Sequence, residues 1–493
     1  MRSPLSLPLG ALLLAGLTGC SLIPDYHRPA LPVASEWPTG GKDARATAPN
    51  GLAAADIGWR SFFLDPVAQE LIALSLANNR DLRVAALNVA QAEAQFRADR
   101  ASLFPTLDAT AGMERSRTPG SVQGVAGSLN TREYSLGLGV TSWELDFFGR
   151  IRSQAEQAHE TYLSDIDTHV STQISLVAQV GSEYLAWLAD RDALAISQDA
   201  VKAQTDSVRL TRLKAAHGTA TGMDVAQAET TLHSAEANVA LYTRQVAQDL
   251  DQLTLLVGAP LPPRLVARME AQAGLDAQPR FPTLPAGLPA DLLVRRPDIR
   301  AAEHTLLAAN ANVGAARAAF FPSISLTASG GRASNALSTL FGAGQTSWLF
   351  EPQISVPIFD AGANFANLDV AKIEKRVEIA NYEKAIQSAF HDVSDALVAR
   401  ETYAAQVAAQ QALVGSDATY YRLADMRFRS GADTYLNALV AETALLNARL
   451  TLVSLKLSAL QNTITLYKAL GGGWAETTVP PPTAAAASRP NGG

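Results

Sequence analysis

Asp81-Leu82-Arg83 opens a helical run that ends at Phe104-Pro105, and Asp298-Ile299-Arg300 opens another that ends at Phe321-Pro322, about 217 positions on. Further along, Gly218 and Ala228-Glu229-Thr230 recur as Gly431 and Ala441-Glu442-Thr443 at an offset of about 213. Leu256-Val257-Gly258 returns as Ala469-Leu470-Gly471 at that same offset. One indel of about four residues inside each unit accounts for the change. A period this long is no solenoid repeat. It is a duplicated half-molecule, and the two halves are expected to adopt similar folds.

The chain has 493 residues, and its apolar weight lies in Ala, Leu and Val rather than in aromatics, which make up 6%. That mix suits long, closely packed helices better than a large enzyme core. The net charge is −7 with no basic block, which excludes nucleic acid as an expected partner. The single cysteine, Cys20, excludes an intrachain disulfide. It follows an apolar stretch from Leu5 to Leu17 that is short for a bilayer span and reads as a signal-peptide core. Leu17-Thr18-Gly19-Cys20 is similar to a bacterial lipobox, so residues 1–19 are expected to be removed and Cys20 lipidated. Several acyl chains on one residue anchor firmly. Ser21, where an inner-membrane retention signal has Asp, favours the outer membrane.

Downstream, residues 21–58 read as extended, and Trp59 to Asn79 contains a short amphipathic helix. Asp81 is the expected N-cap of the helix that Pro105 ends. Leu107, Ala109, Ala111 and Met113 alternate with polar or small residues, the mark of a strand over about 105–115. Residues 115–131 read as a loop, and a second strand covers about 132–147, with a phase slip near 141–142 that implies a bulge. The second half repeats the plan, with strands at about 322–330 and 347–359 around a Gly/Ser loop; Pro352 and Pro357 imply an edge or bends. From about 150 to 216 and from 363 to 429 the pattern is continuously helical; at ~1.5 Å per residue each run is ~100 Å long. Gly218 and Gly431 turn the chain back into return helices at about 222–257 and 434–470. Such helices imply a bundle or coiled-coil assembly. The expected domains are thus a lipidated segment with a short helix (20–80), repeat one (81–257), a Pro-rich connector (258–297), repeat two (298–470) and a tail (471–493) expected to be partly disordered.

Four amphipathic strands cannot close into a barrel, and open sheet edges are not tolerated in hydrocarbon. If these strands cross a membrane, several chains must share one barrel; three chains give twelve strands and room for an aqueous lumen. The competing reading is a soluble sheet packed on helices, against which the export signal and the long helices count.

Several stretches taken in order carry a family resemblance: Pro24-Asp25-Tyr26 with Arg28-Pro29, Trp59, Phe63 and Asp65-Pro66. In the second half they are Arg295-Arg296-Pro297-Asp298-Ile299, Ala318-Ala319-Phe320-Phe321-Pro322, Pro357-Ile358-Phe359-Asp360 and Leu466 through Trp474. From Cys20 to Trp474 the chain resembles the TolC-like outer membrane factors, and within them the NodT/OprM-type lipoproteins of RND efflux systems. The resemblance implies a mixed α+β membrane protein: a homotrimer with a shared twelve-stranded transmembrane β-barrel and a long α-helical coiled-coil barrel in the periplasm of a Gram-negative bacterium. It implies a tripartite efflux duct whose partners are a periplasmic adaptor, an inner-membrane RND transporter and outer-membrane lipid. Secretion or heavy-metal efflux is the alternative service; a structural spacer is a more distant one.

The helix ends at Gly218 and Gly431 would form the periplasmic mouth. Candidate gate residues are Asp433, Arg422, Asp425, Arg427 and Arg429 at the second end, and Arg212 and Asp224 at the first, where Arg209 and Lys214 also crowd. Gly218, Thr219, Thr221, Gly431 and Ala432 are candidates for adaptor docking. For Asp433, and for Thr221 with Asp224, helix capping is the competing reading; for the arginines it is a solvated helix face. No HExxH, Walker A or GxSxG occurs, so no enzyme activity is expected, and no cofactor beyond the lipid on Cys20. His159 and His169 point to different faces of one helix, and a metal site within one chain is not expected.

Overall fold

A computed structural model describes residues 21–37, 53–124, 127–287 and 289–478. The signal stretch, Cys20 and the tail beyond residue 478 lie outside the described residues, and so do the expectations of cleavage and lipidation. The main elements in chain order are α1 (Pro66–Asn78), α2 (Arg80–Ala101), β1 (Leu107–Pro119), β2 (Ser128–Glu144), α3 (Arg150–Ala216) and α4 (Gly222–Val257). They continue with α5 (Pro297–Ala318), β3 (Ser323–Ser334), β4 (Thr346–Ser355), α6 (Ala363–Arg429) and α7 (Tyr435–Ala469). Shorter helical segments include Trp59–Phe62 and Pro263–Glu270.

Local chemistry sets these boundaries. The Asp65 carboxylate accepts the Val67 N–H at 2.7 Å, and Pro66 at the first position starts α1. The cap of α2 corrects the expectation for Asp81. Asn79 Oδ1 accepts the Leu82 N–H at 2.9 Å, and Asp81 lies within the first turn, where its charge still favours the helix N-terminus. The two 67-residue helices each start just after an aspartate. Asp146 accepts the N–H groups of Ile151 and Arg152, and Asp360 accepts those of Gly362 and Asn364.

The chain divides into two compact units. The first comprises residues up to Ala30, Asn88–Asp165 and Ala301–Tyr382. It holds an antiparallel sheet in the order β1-β2-β3-β4. The register aligns Leu107 with Val140, Val140 with Ala328 and Ala328 with Phe350, and in the next row Ala109, Leu138, Gly330 and Trp348. One face is therefore apolar across all four strands, while Thr110, Gly137, Gly331 and Ser347 make a row of the opposite face. The apolar side chains are uncovered, Trp348 being 77% exposed.

The expected bounds are corrected on all four strands. β1 and β2 run on through 115–119 and 128–131, which were expected to be loop, and β3 runs on to Ser334. Ser116 Oγ and Thr131 Oγ1 meet at 2.6 Å there, and the Arg117 Nε–H donates to Ser128 Oγ. Backbone pairing outlasts the apolar alternation because that end is polar apart from Pro119 and Leu129. β4 stops at Ser355, since Pro357 cannot donate to a ladder; Ile358, beyond it, is 95% exposed. The phase slip in β2 is a register shift between Val140 and Trp143, with Ser142 at φ +51°. Pro352 sits in β4, which pairs only with β3 among the described residues, as an edge position permits. The N-terminal segment lies along α5. Arg28 grips the Glu303 carboxylate through two bonds of 2.8 Å, the Tyr26 hydroxyl donates to it, and Asn310 Nδ2 donates to the Pro24 carbonyl. Gly314 leaves room for Ile23, which a Cβ would meet at 2.6 Å.

The second unit holds Leu31–Leu87, Ile166–Arg300 and the chain from Glu383 onward. Phe62 stacks between Tyr467 at 3.9 Å and Phe281 at 4.7 Å, and Tyr184 donates to Asp65 at 2.7 Å. Arg296, 8% exposed, bonds Asp298, Asp392 and the Ala469 carbonyl, which ties the connector to both α6 and α7. Helix α7 is the one helix among the described residues long and apolar enough to cross a membrane. Its apolar residues Tyr435, Ala438, Leu439 and Ala441 instead pack with Val208 of α3, Ala228 of α4 and Phe428 of α6.

Candidate functional site at the hairpin ends

Two helical hairpins, α3–α4 and α6–α7, end in turns built alike. Gly218 (φ +75°) donates its N–H to the Ala215 carbonyl and Thr219 to that of Lys214. Gly431 (φ +77°) donates to Phe428, and Ala432 to Arg427. Each is a Schellman motif, and glycine supplies the left-handed residue that the motif needs at no steric cost.

Past the glycines the turns differ. Thr221 caps α4: its Oγ1 accepts the Asp224 N–H, and the Asp224 carboxylate accepts the Thr221 N–H at 2.8 Å, a closed capping box. The Thr221 N–H, and after it the Thr221 hydroxyl, both donate to the Asp224 carboxylate and hold its carboxyl below the usual range. Thr434, the corresponding cap of α7, makes no side-chain cap bond, and Asn437 stands where Asp224 closes the box of the first hairpin. Asp433 takes over. Its carboxylate accepts the Thr434 N–H and the Asn437 amide, both at 2.8 Å, and pairs with Arg427 at 3.1 Å. Those bonds, the Thr434 N–H first, hold its carboxyl below the usual range. The capping expectation is therefore met by Thr221 with Asp224. For Asp433 it is corrected: the carboxylate sits one residue too early to reach the first-turn N–H groups and instead clasps the turn to α6.

Of the other expected residues, Arg429 pairs with Asp425 along α6 at 2.7 Å, and Arg212 with Glu229 across the first hairpin at 2.6 Å. Arg422 is exposed and makes no ion pair among the described residues. Lys214 joins the hairpins: its Nζ lies 3.7 Å above the Phe428 ring and donates to the Phe428 carbonyl at 2.9 Å.

Sequence reading missed Glu442. It is 8% exposed, among Gln204 of α3 and Tyr421 and Asp425 of α6. Burial, aided by the Asp425 charge, pushes its carboxyl up to about 7, against the opposing pull of Gln204 and Arg429. The same environment raises the Tyr421 phenol to about 12. The signal was present: Glu442 repeats Glu229, but the position facing it, occupied by Arg212 in the first half, is Asp425 in the second.

Comparison with known proteins places this geometry. The sequence profile described as "Outer membrane efflux protein" matches residues 71–259 and 288–472. The probable efflux pump outer membrane protein TtgC of Pseudomonas putida is 49% identical over 97% of each chain. The cation efflux system protein CusC of Escherichia coli is 40% identical over 93% of this chain and 96% of its own. Among solved structures, the open state of the Neisseria gonorrhoeae MtrE outer membrane channel covers 93% of this chain and 100% of its own, with a TM-score of 0.83 and 37% identity. On these matches, which run through both halves and both hairpins, the chain belongs to the outer membrane efflux protein family.

Proposed function

We propose that this chain is one of three identical protomers of the exit duct of a tripartite efflux pump in the outer membrane of a Gram-negative bacterium. Its family membership carries the efflux role. The four-stranded sheet supports the trimer: it has one continuous uncovered apolar face and edges at β1 and β4 that lack a partner among the described residues. Such edges are satisfied in lipid only when strands of neighbouring copies complete a closed barrel. The hairpin ends are then the periplasmic mouth, where an adaptor docks and conveys substrate from an inner-membrane transporter. Cys20 is the lipid attachment point. Relatives carry names for toluene, antibiotic, solvent and cation efflux, so substrate choice is assigned to the pump.

Mass measurement of the detergent-solubilised protein tests the assembly, with three chain masses expected; a monomer retaining its sheet overturns the shared barrel. Deletion of the gene is expected to sensitise the host to the substrates of its pump. Unchanged susceptibility, with the remaining outer membrane ducts also deleted, overturns the efflux role. Cys20→Ser is expected to abolish acyl labelling and leave an unprocessed precursor.

A further inference from the structure

Near the start of α3, Glu156, His159 and Glu160 share one helix face, because positions three and four apart are neighbours on a helix. One ligand atom from each lies within 4.8 Å of the others. Two ligand atoms on one ion at bond lengths of about 2.0–2.2 Å stand about 3–4.4 Å apart, close to this spacing. Two features distinguish the group from a solvated acidic surface. Glu160 has its side chain only 13% exposed, and its Oε2 is held at 2.6 Å by Nδ1 of His304 on α5. The His159 ring lies against Phe96 of α2, centroids 5.0 Å apart, which restricts its rotamers. Carboxylate orientation by an outer hydrogen bond and a constrained imidazole are what a metal site requires.

We propose that Glu156, His159 and Glu160 form a binding site for a divalent transition-metal ion, with His304 orienting Glu160 from behind. The donor set is two carboxylate oxygens and one imidazole nitrogen. Imidazole selects against Mg²⁺ and Ca²⁺, and the lack of thiolate or thioether selects against Cu⁺. Zn²⁺, Ni²⁺ and Cu²⁺ fit. With three protein ligands, water completes the coordination shell. The imidazole must be neutral to bind, so affinity falls as pH drops below the histidine range. The histidine pattern alone misses this site: the partners of His159 are the carboxylates three before and one after it, not His169.

The test is equilibrium dialysis of the detergent-solubilised full chain against Zn²⁺ at pH 7.5, with bound metal quantified by atomic emission. One zinc per chain is expected, with strong loss at pH 5.5. His159→Ala and Glu156→Gln should each weaken binding at least tenfold. His304→Ala should weaken it less, since the three ligands remain. His233→Ala is the control, because His233 stands beside Glu236 on α4 with no second carboxylate in the group. Glu156 is exposed, so Glu156→Gln remains informative if His159→Ala does not fold. No stoichiometric zinc on the parent, or equal zinc on the parent and Glu156→Gln, overturns the proposal. So does loss in His233→Ala that matches the loss in the site variants.

Discussion

The two hairpin ends share one backbone turn, yet they solve the same local problem with different chemistry. The first is closed by the Thr221–Asp224 box within one turn and by the Arg212–Glu229 pair across the hairpin. The second has lost both. The position of Asp224 carries Asn437, that of Arg212 carries Asp425, and the glutamate left behind is buried among aromatic and amide side chains. Both ends keep the backbone motif, in which a left-handed glycine closes the turn, while the side-chain layer differs. The second end thereby acquires a carboxyl raised to about 7.

The largest expected effect isolates that group. The Glu442 carboxyl is raised from 4.5 to about 7 in the folded chain, so folding takes up a proton in this window. Stability is therefore full below about pH 4.5 and falls as pH rises towards 7, by about 2–3 kcal/mol per chain. Glu442→Gln should match the parent at pH 4.5 and exceed it at pH 8 by that margin in chemical denaturation. A parent and variant that stay parallel at both pH values would mean that Glu442 is charged or solvated.

Next come the glycines. Gly218→Ala and Gly431→Ala meet no neighbouring atom, so each pays only the left-handed backbone term of about 1–2 kcal/mol. Equal losses are expected; unequal ones would show that the turns differ in backbone as well as side chain. Smaller still, Thr221→Ala should cost about 1 kcal/mol through the lost cap, while Thr434→Ala should be close to neutral. Equal costs at the two threonines would break the comparison.

The smallest effect on stability is expected from Asp433→Asn, because Asn keeps an acceptor for the Thr434 N–H and loses only the Arg427 charge pair. Its informative readout is conductance. If the pair helps to hold the mouth closed, single-channel conductance in planar bilayers rises. Parental conductance would confine Asp433 to shaping the turn.

What was legible in the sequence follows from which signals are local. Both long helices begin and end where glycine, proline and aspartate say they do, because Gly218, Gly431 and Asp360 act on their own backbone. Strand ends were misplaced because residues 115–119 and 128–131 are polar apart from Pro119 and Leu129, and pairing there rests on backbone bonds that leave no alternation to read. Asn79 and Asp81 are both good caps, and only the position of the first helical turn decides between them. Glu442 was invisible for a different reason. A single acid on an apolar helix looks solvated until the flanking helices are known.

The matched 67-residue length of α3 and α6 carries an evolutionary consequence. Inserting one residue advances everything beyond it by about 1.5 Å and swings it by about 100°. In α3 that would rotate Val177, Val180, Tyr184 and Leu188, all buried, away from their partners. Phase is restored only after about seven or eleven residues. Lineages that lengthen or shorten this protein are therefore expected to do so in quantised steps, taken together in both halves, so that reach in this family changes like a gear train rather than like a rope.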